Sequence, residues 1–257
     1  MPALAQRRGV PQWASSVIGI VLLLIVWQIV GSTMFQKTHS IPPPTKVLQA
    51  LFDSPDFYRR NLSATLGGAW KGWVWGNALA IGLAFLVLIL PIVERPVIQL
   101  GVTSYCLPAV AIGPLFAIIF GGETPKVVLA ALAVFFTTLI GALLGLRGAD
   151  PTQLDVVHAF GGGAVKKLTK VRLRAGLPGL FAGLRIAAPA AVLGAIIGEY
   201  SGAEQGIGVA MIASQQRGDP TTTWALALAA TAAAGIAYGL TALVGRLLTP
   251  WAPRVDT

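Results

Sequence analysis

Asp155 and His158 stand just before a triple glycine, and Lys166, Lys167, Lys170, Arg172 and Arg174 follow it, in the stretch DPTQLDVVHAFGGGAVKKLTKVRLR (Asp150–Arg174). Thr152–Phe160 reads as a short helix with Asp150 or Thr152 available as its N-cap. Gly161–Gly163 breaks it. Ala164–Arg172 reads as a second helix, with Val165, Leu168, Val171 and Leu173 available for an apolar stripe and the basic residues mostly on the other faces. Two uses compete. A basic amphipathic helix can rest on anionic lipid with its lysines among the headgroups. A helix, a glycine turn and a second helix can instead form a knob that docks into a partner. The triple glycine favours the knob, because a surface-lying helix needs no sharp bend.

Other chemistry is excluded by absence. The chain has no GxxxxGK[ST] loop, so it does not hydrolyse ATP by a P-loop mechanism, and it has no HExxH and no paired aspartates for Mg²⁺-diphosphate work. Gly202–Gly208 (GAEQGIG) follows no strand and is a weak nucleotide motif. The single cysteine, Cys106, can form neither an internal disulfide nor a Cys-based metal site. It reads as a small buried apolar residue. His39 and His158 fall on opposite sides of the membrane in the topology below, which argues against a metal site or triad.

The elements that position these residues are apolar. The chain is 55% hydrophobic and 11% charged, with a mean hydropathy of +0.73, against about 25% charge in soluble domains. Trp13–Val30, Gly72–Val93, Pro96–Gly122, Val127–Leu146, Ala175–Gly198 and Pro220–Gly245 are uncharged apart from Arg185. Each is near or above the roughly 18–20 residues that span a bilayer as a helix. The expectation is an all-α integral membrane protein with six transmembrane helices, the first one retained and not a cleaved signal peptide. With the N-terminus inside, Arg7, Arg8, Arg95, Arg147, Arg185, Arg246, Arg254 and the basic stretch lie inside. Lys37, Lys46, Arg59, Arg60, Lys71, Lys126 and Arg217 lie outside. Lys and Arg therefore favour two cytosolic termini. The net charge of +9 is the bias that insertion requires and does not point to nucleic acid.

Along the chain, Thr45 can cap a short helix Lys46–Phe52, and Asn61 or Ser63 can cap the next. Trp70, Trp73 and Trp75 suit the outer interface. Pro108 and Pro114 kink the third span. The fourth helix is expected to end near Arg147, the fifth to cover about Leu177–Tyr200 and the sixth about Thr223–Leu248. Thr103, Ser104 and Tyr105 offer hydroxyls at membrane depth for a substrate path or for ordinary interhelical bonds. Arg185 reads as a structural, snorkelling or gating charge. Glu199, at the outer end of its helix, reads as a gate, a binding-protein contact or a solvated carboxylate. Small residues (IAAPAAVLGAIIG, LALAATAAAGIA) permit close helix packing.

The basic stretch resembles the coupling motif of membrane subunits in binding-protein-dependent ABC importers: Glu-Ala-Ala, three residues, Gly, nine residues, an apolar residue, one residue, Leu-Pro. Aligned on Gly161, Asp155 takes the Glu position, Val156–Val157 the Ala-Ala, and Val171 and Leu173 the apolar and Leu positions. Arg174 replaces the proline. LPGLFAGLRIA (Leu177–Ala187), EYSGAEQGIG (Glu199–Gly208) and IPPPTKVLQAL resemble the branch transporting sulfonates, taurine, nitrate and pyrimidine precursors, so the resemblance covers nearly the whole chain after Ile41.

The resemblance implies an N-terminal helix and outer loop (1–62) and a five-helix permease core (63–257) with a coupling loop at 147–176. It implies coupling through Asp155, Val156, Val157, His158, Ala159, Gly161, Gly162, Lys166, Val171 and Leu173. Implied partners are two ATPase subunits, a second permease subunit as a homodimer, an external solute-binding protein and membrane lipid. The chain itself would bind no cofactor, ATP and Mg²⁺ lying on the ATPase. It would sit in a bacterial cell membrane and carry a small polar, often anionic solute. An ion-driven secondary transporter is the alternative; the absence of a carboxylate near the centre of any helix counts against it.

Overall fold

In the computed structural model, residues 12–33 and 40–252 are described. Arg7, Arg8, Lys37, His39 and Arg254 lie outside them. Among the described residues the fold is helical with no strand, as lipid-spanning backbone demands. The helices are α1 (Gln12–Thr33), α2 (Pro44–Asp53), α3 (Pro55–Ile89), α4 (Glu94–Cys106), α5 (Ala109–Phe120), α6 (Thr124–Arg147), α7 (Pro151–Ala159), α8 (Ala164–Lys167), α9 (Leu173–Glu199), α10 (Ile207–Gln216) and α11 (Pro220–Leu248).

Four helical runs are long and apolar enough to cross a membrane: Pro55–Ile89, Thr124–Arg147, Val165–Glu199 and Pro220–Leu248. The expected third span is not one kinked helix. It is two, Pro91–Cys106 and Ala109–Phe120, bent by 97°. Leu107 takes an extended conformation (ψ 124°) and Pro108 follows it, because the residue before a proline is pushed out of the helical region. Pro114 stays inside α5. Counted as one span, the bent pair makes five. The α1 run Val17–Thr33 is apolar but shorter.

Two other expectations shift. Pro43 is the N-cap of α2, with Pro44 in its first turn, so Thr45 is free of that task and its hydroxyl lies 3.4 Å from Gln28 Oε1. Helix α3 already begins at Pro55, which puts Asn61 and Ser63 inside it. The basic helix and the fifth span are also not separate. A π-helical turn over Leu168–Arg172 joins α8 to α9, making the continuous run Val165–Glu199.

The chain divides into two compact units. The first combines the segment up to Pro55 with Ser214–Ala225. There Trp27 packs on Trp224 with ring centroids 5.4 Å apart, and their indole N–H groups donate to Pro42 O and Ser40 O.

The second unit, Asp56–Ala213 with Leu226 onward, is built around α6. Its core joins Ala80, Ala84 and Val87 of α3, Val97 of α4, and Phe135, Leu139, Ala142, Leu143 and Leu146 of α6. Helices α6 and α9 touch backbone to backbone. A Cβ on Gly179 would lie 2.6 Å from Gly145 Cα, and one on Gly183 would lie 3.0 Å from Thr137 O. In lipid no hydrophobic force drives helices together, so such small-residue contact supplies the attraction. Thr138 Oγ1 donates to Asn77 Oδ1 at 2.5 Å, a buried polar tie between α6 and α3.

Candidate functional site

The glycine turn lies between α7 and the short α8. Asp150 is the N-cap of α7, accepting Thr152 N–H at 2.9 Å, and Pro151 opens the helix. Gly161 takes φ +71°, a left-handed conformation that side chains with a Cβ rarely adopt. Gly161 N–H donates to His158 O and Gly162 N–H to Val157 O. Gly162 is buried, and a Cβ there would collide with Val157. The turn thus fixes the direction in which α8 leaves α7.

Its surface is open. Asp155, His158, Ala159, Gly161 and Lys166 are exposed, while Val171 is buried and Leu173 partly so. Val156 is 53% exposed, Val165 73% and Phe160 86%. Phe160 was not singled out by the motif, yet it is the most prominent apolar group of the turn. The apolar tip is flanked by Asp155, His158 and Lys166, and exposed apolar groups rimmed by polar ones mark interaction surfaces.

The polar residues proposed for a path separate. Thr103, Tyr105 and Cys106 are exposed, so Cys106 is not the buried residue expected. Ser104 Oγ donates to Gly101 O of its own helix at 2.7 Å. Tyr105 stacks on Phe136 at 4.9 Å. Arg185 is exposed, with its guanidinium 5.3 Å from the Tyr238 ring centroid. That contact is a cation–π pairing with α11.

Glu199 is not solvated. It is 1% exposed and its carboxylate lies 2.8 and 3.0 Å from Thr65 Oγ1 of α3. It also accepts Gly208 N–H, in the first turn of α10, at 2.8 Å. Thr65 Oγ1 in turn accepts Ile207 N–H at 2.8 Å, and Asn61 Oδ1 accepts Gly206 N–H at 3.3 Å. Gly206, at φ +142°, admits no Cβ without striking the Glu199 carboxylate. GAEQGIG is therefore a latch that fastens the start of α10 to the ends of α3 and α9, and not a phosphate loop. Lys126, only 5% exposed, lies along Gly68 and Gly198 and pairs with Glu123. Asn61, Thr65 and Lys126 escaped sequence reading as a group: Asn61 looked like a cap, and Lys126 sits one residue outside an uncharged run. At the other end of α6, Arg147 pairs with Glu94 at 2.5 Å.

Several helices long and apolar enough to cross a membrane mark a multi-pass helical membrane protein. Residues 76–254 match the model of the "Binding-protein-dependent transport system inner membrane component", and the chain belongs to that family. It is 31% identical to a probable ABC transporter permease protein of Haemophilus influenzae, covering 78% of this chain and 82% of the relative. It is 30% identical to the formylaminopyrimidine transport permease protein ThiX of Halalkalibacterium halodurans over 73% of this chain and 75% of that one. With the taurine transport system permease protein TauC of Escherichia coli, identity is 28% over 90% and 87%. These relatives are transport permease subunits, in keeping with a translocating and non-enzymatic role.

Proposed function

We propose that this chain is the membrane-spanning permease subunit of an ATP-driven importer, working as a pair above two ATPase subunits that hold ATP and Mg²⁺. Its six spans comprise α1, α3, the bent α4–α5 pair, α6, α9 and α11, with both termini cytosolic. The α7–α8 knob docks in the ATPase through Asp155–Ala159, Gly161, Gly162 and Lys166, while Val171 and Leu173 root it in the core. When ATP draws the two ATPases together, the knobs follow and the helices rock between outward and inward openings. An external binding protein delivers the solute, a small polar and often anionic molecule, to the outer face. Relatives named for a formylaminopyrimidine and for taurine support that class.

The observation that carries this reading is the open apolar tip, Val156, Phe160 and Val165, on a turn fixed by Gly161 at φ +71°. Gentle purification from native membranes is expected to bring an ATP-hydrolysing subunit with the chain. Gly161→Val, whose side chain must adopt a strained left-handed backbone at about 1–2 kcal/mol, is expected to lose that subunit while still inserting. If the valine variant retains both the subunit and uptake, the knob is not the dock. Uptake abolished by an uncoupler but not by ATP depletion would favour the ion-driven alternative.

A further inference from the structure

A pocket of about 570 Å³ opens in the second unit where α6 ends and α9 begins. Its lining combines apolar residues, among them Phe85, Leu146 and Leu177, with the cations Lys170 and Arg174. Trp251 completes it, and the Arg174 guanidinium lies 5.2 Å from the Trp251 ring centroid. Among the described residues no carboxylate pairs with Lys170 or Arg174, and both are exposed. The pocket therefore offers two cations with no carboxylate partner among the described residues, together with an indole and an apolar lining.

We propose that this pocket binds one anionic phospholipid, its phosphate held by Lys170 and Arg174 and the upper part of an acyl chain lying along Phe85, Leu146 and Leu177. Charge complementarity selects the head, since basic pockets between helices at a membrane surface take anionic headgroups. The apolar lining selects an amphiphile. A small polar solute placed there would set its remaining polar groups against apolar walls, at the usual cost of burying unpaired groups. Trp251 suits the headgroup level, where amphipathic rings collect. Lys170 belongs to the π-helical turn that joins the knob to α9, so the lipid would sit at the joint from which the knob hangs. The assignment needs only that this end of the unit lies at a membrane surface. It stands or falls apart from ATPase docking.

The test is native mass spectrometry of the full chain, released from detergent after exposure to equal amounts of phosphatidylglycerol and phosphatidylcholine. Retention of one phosphatidylglycerol in preference to phosphatidylcholine is expected. Lys170→Gln and Arg174→Gln should each weaken that retention about fivefold, and Arg174→Lys should keep most of it. Arg246→Gln, at the same end but outside the pocket, should leave it unchanged. Quenching of tryptophan fluorescence by brominated phosphatidylglycerol in vesicles should fall when Trp251 is replaced by Phe. Equal retention of both lipids by the unaltered chain overturns the proposal without any variant. So does an equal loss in Arg246→Gln. Displacement of the lipid by soluble glycerol phosphate would show that the head alone is recognised and would also overturn it.

Discussion

Replacing Thr65 by valine isolates the latch between α9 and α10. Thr65 is fully buried, and valine has nearly its shape, so little packing changes. The substitution removes a hydroxyl that reaches the Glu199 carboxylate at 2.8 and 3.0 Å and accepts Ile207 N–H at 2.8 Å. Losing a hydrogen bond costs about 0.5–1.5 kcal/mol, and a stranded buried amide about 1–3 kcal/mol more. A total of about 1.5–4.5 kcal/mol follows, or a change of about tenfold to two-thousandfold in the local opening equilibrium. Hydrogen–deuterium exchange of the purified chain reads this directly, because Gly206, Ile207 and Gly208 donate their amides into the cluster. Exchange across Gly206–Ala210 should accelerate by more than about tenfold in Thr65→Val. In Thr65→Ser, which keeps the oxygen, the change should stay within about tenfold, the cost of one lost methyl. Unchanged exchange in the valine variant would refute the claim that this hydroxyl holds the latch closed.

Gly179→Ala should destabilise the purified chain by about 1–3 kcal/mol, because the new methyl forces α6 and α9 apart, whereas Gly235→Ala, with nothing within 4 Å, should be neutral or mildly stabilising; thermal melts of the two compare them. Asp219, next to the start of α11, has a carboxyl held below its ordinary range. Burial alone would raise it, but the Thr222 hydroxyl and amide, Arg217 and the Thr221 amide outweigh that. A depressed folded value means its stabilisation is present above the unfolded value and lost as pH falls through the folded one. Melts over the acidic range should therefore show a smaller pH dependence in Asp219→Asn than in the parent, and identical slopes would refute this. Arg185→Gln should shift the Tyr238 environment in ultraviolet difference spectra while leaving helix content intact; no shift would remove the cation–π contact from the picture.

Much of the fold was legible because lipid imposes a length and a polarity on each span. The uncharged run Val127–Leu146 sits inside α6, and Pro220–Gly245 inside α11. The glycine turn was legible because only glycine suits the backbone of Gly161. What stayed hidden needed distances. Pro108 and Pro114 predicted only a kink in the third span, and the 97° bend between two helices is far beyond one. Glu199 stood out as a charge at a helix end. That it is buried depends on Thr65 and Gly208, 134 and 9 residues away, and no local pattern links them. The join of the basic helix to the fifth span escaped notice because charges at Lys170, Arg172 and Arg174 read as a boundary. In the structure they ride on a helix that continues beneath them.

That continuity makes Val165–Glu199 a lever arm. At about 1.5 Å per residue, its 35 residues reach about 50 Å, with the glycine turn bolted to one tip and the Glu199 carboxylate to the other. A tilt of about 5° around its middle would carry each tip about 2 Å in opposite directions, a displacement that follows from the helical rise alone. Two ångströms is the difference between a made and a broken hydrogen bond. Were the run to tilt as one body, through its π-helical turn and past Pro178 and Pro189, a displacement at the turn would arrive at Thr65 and Gly208 without crossing a single loop.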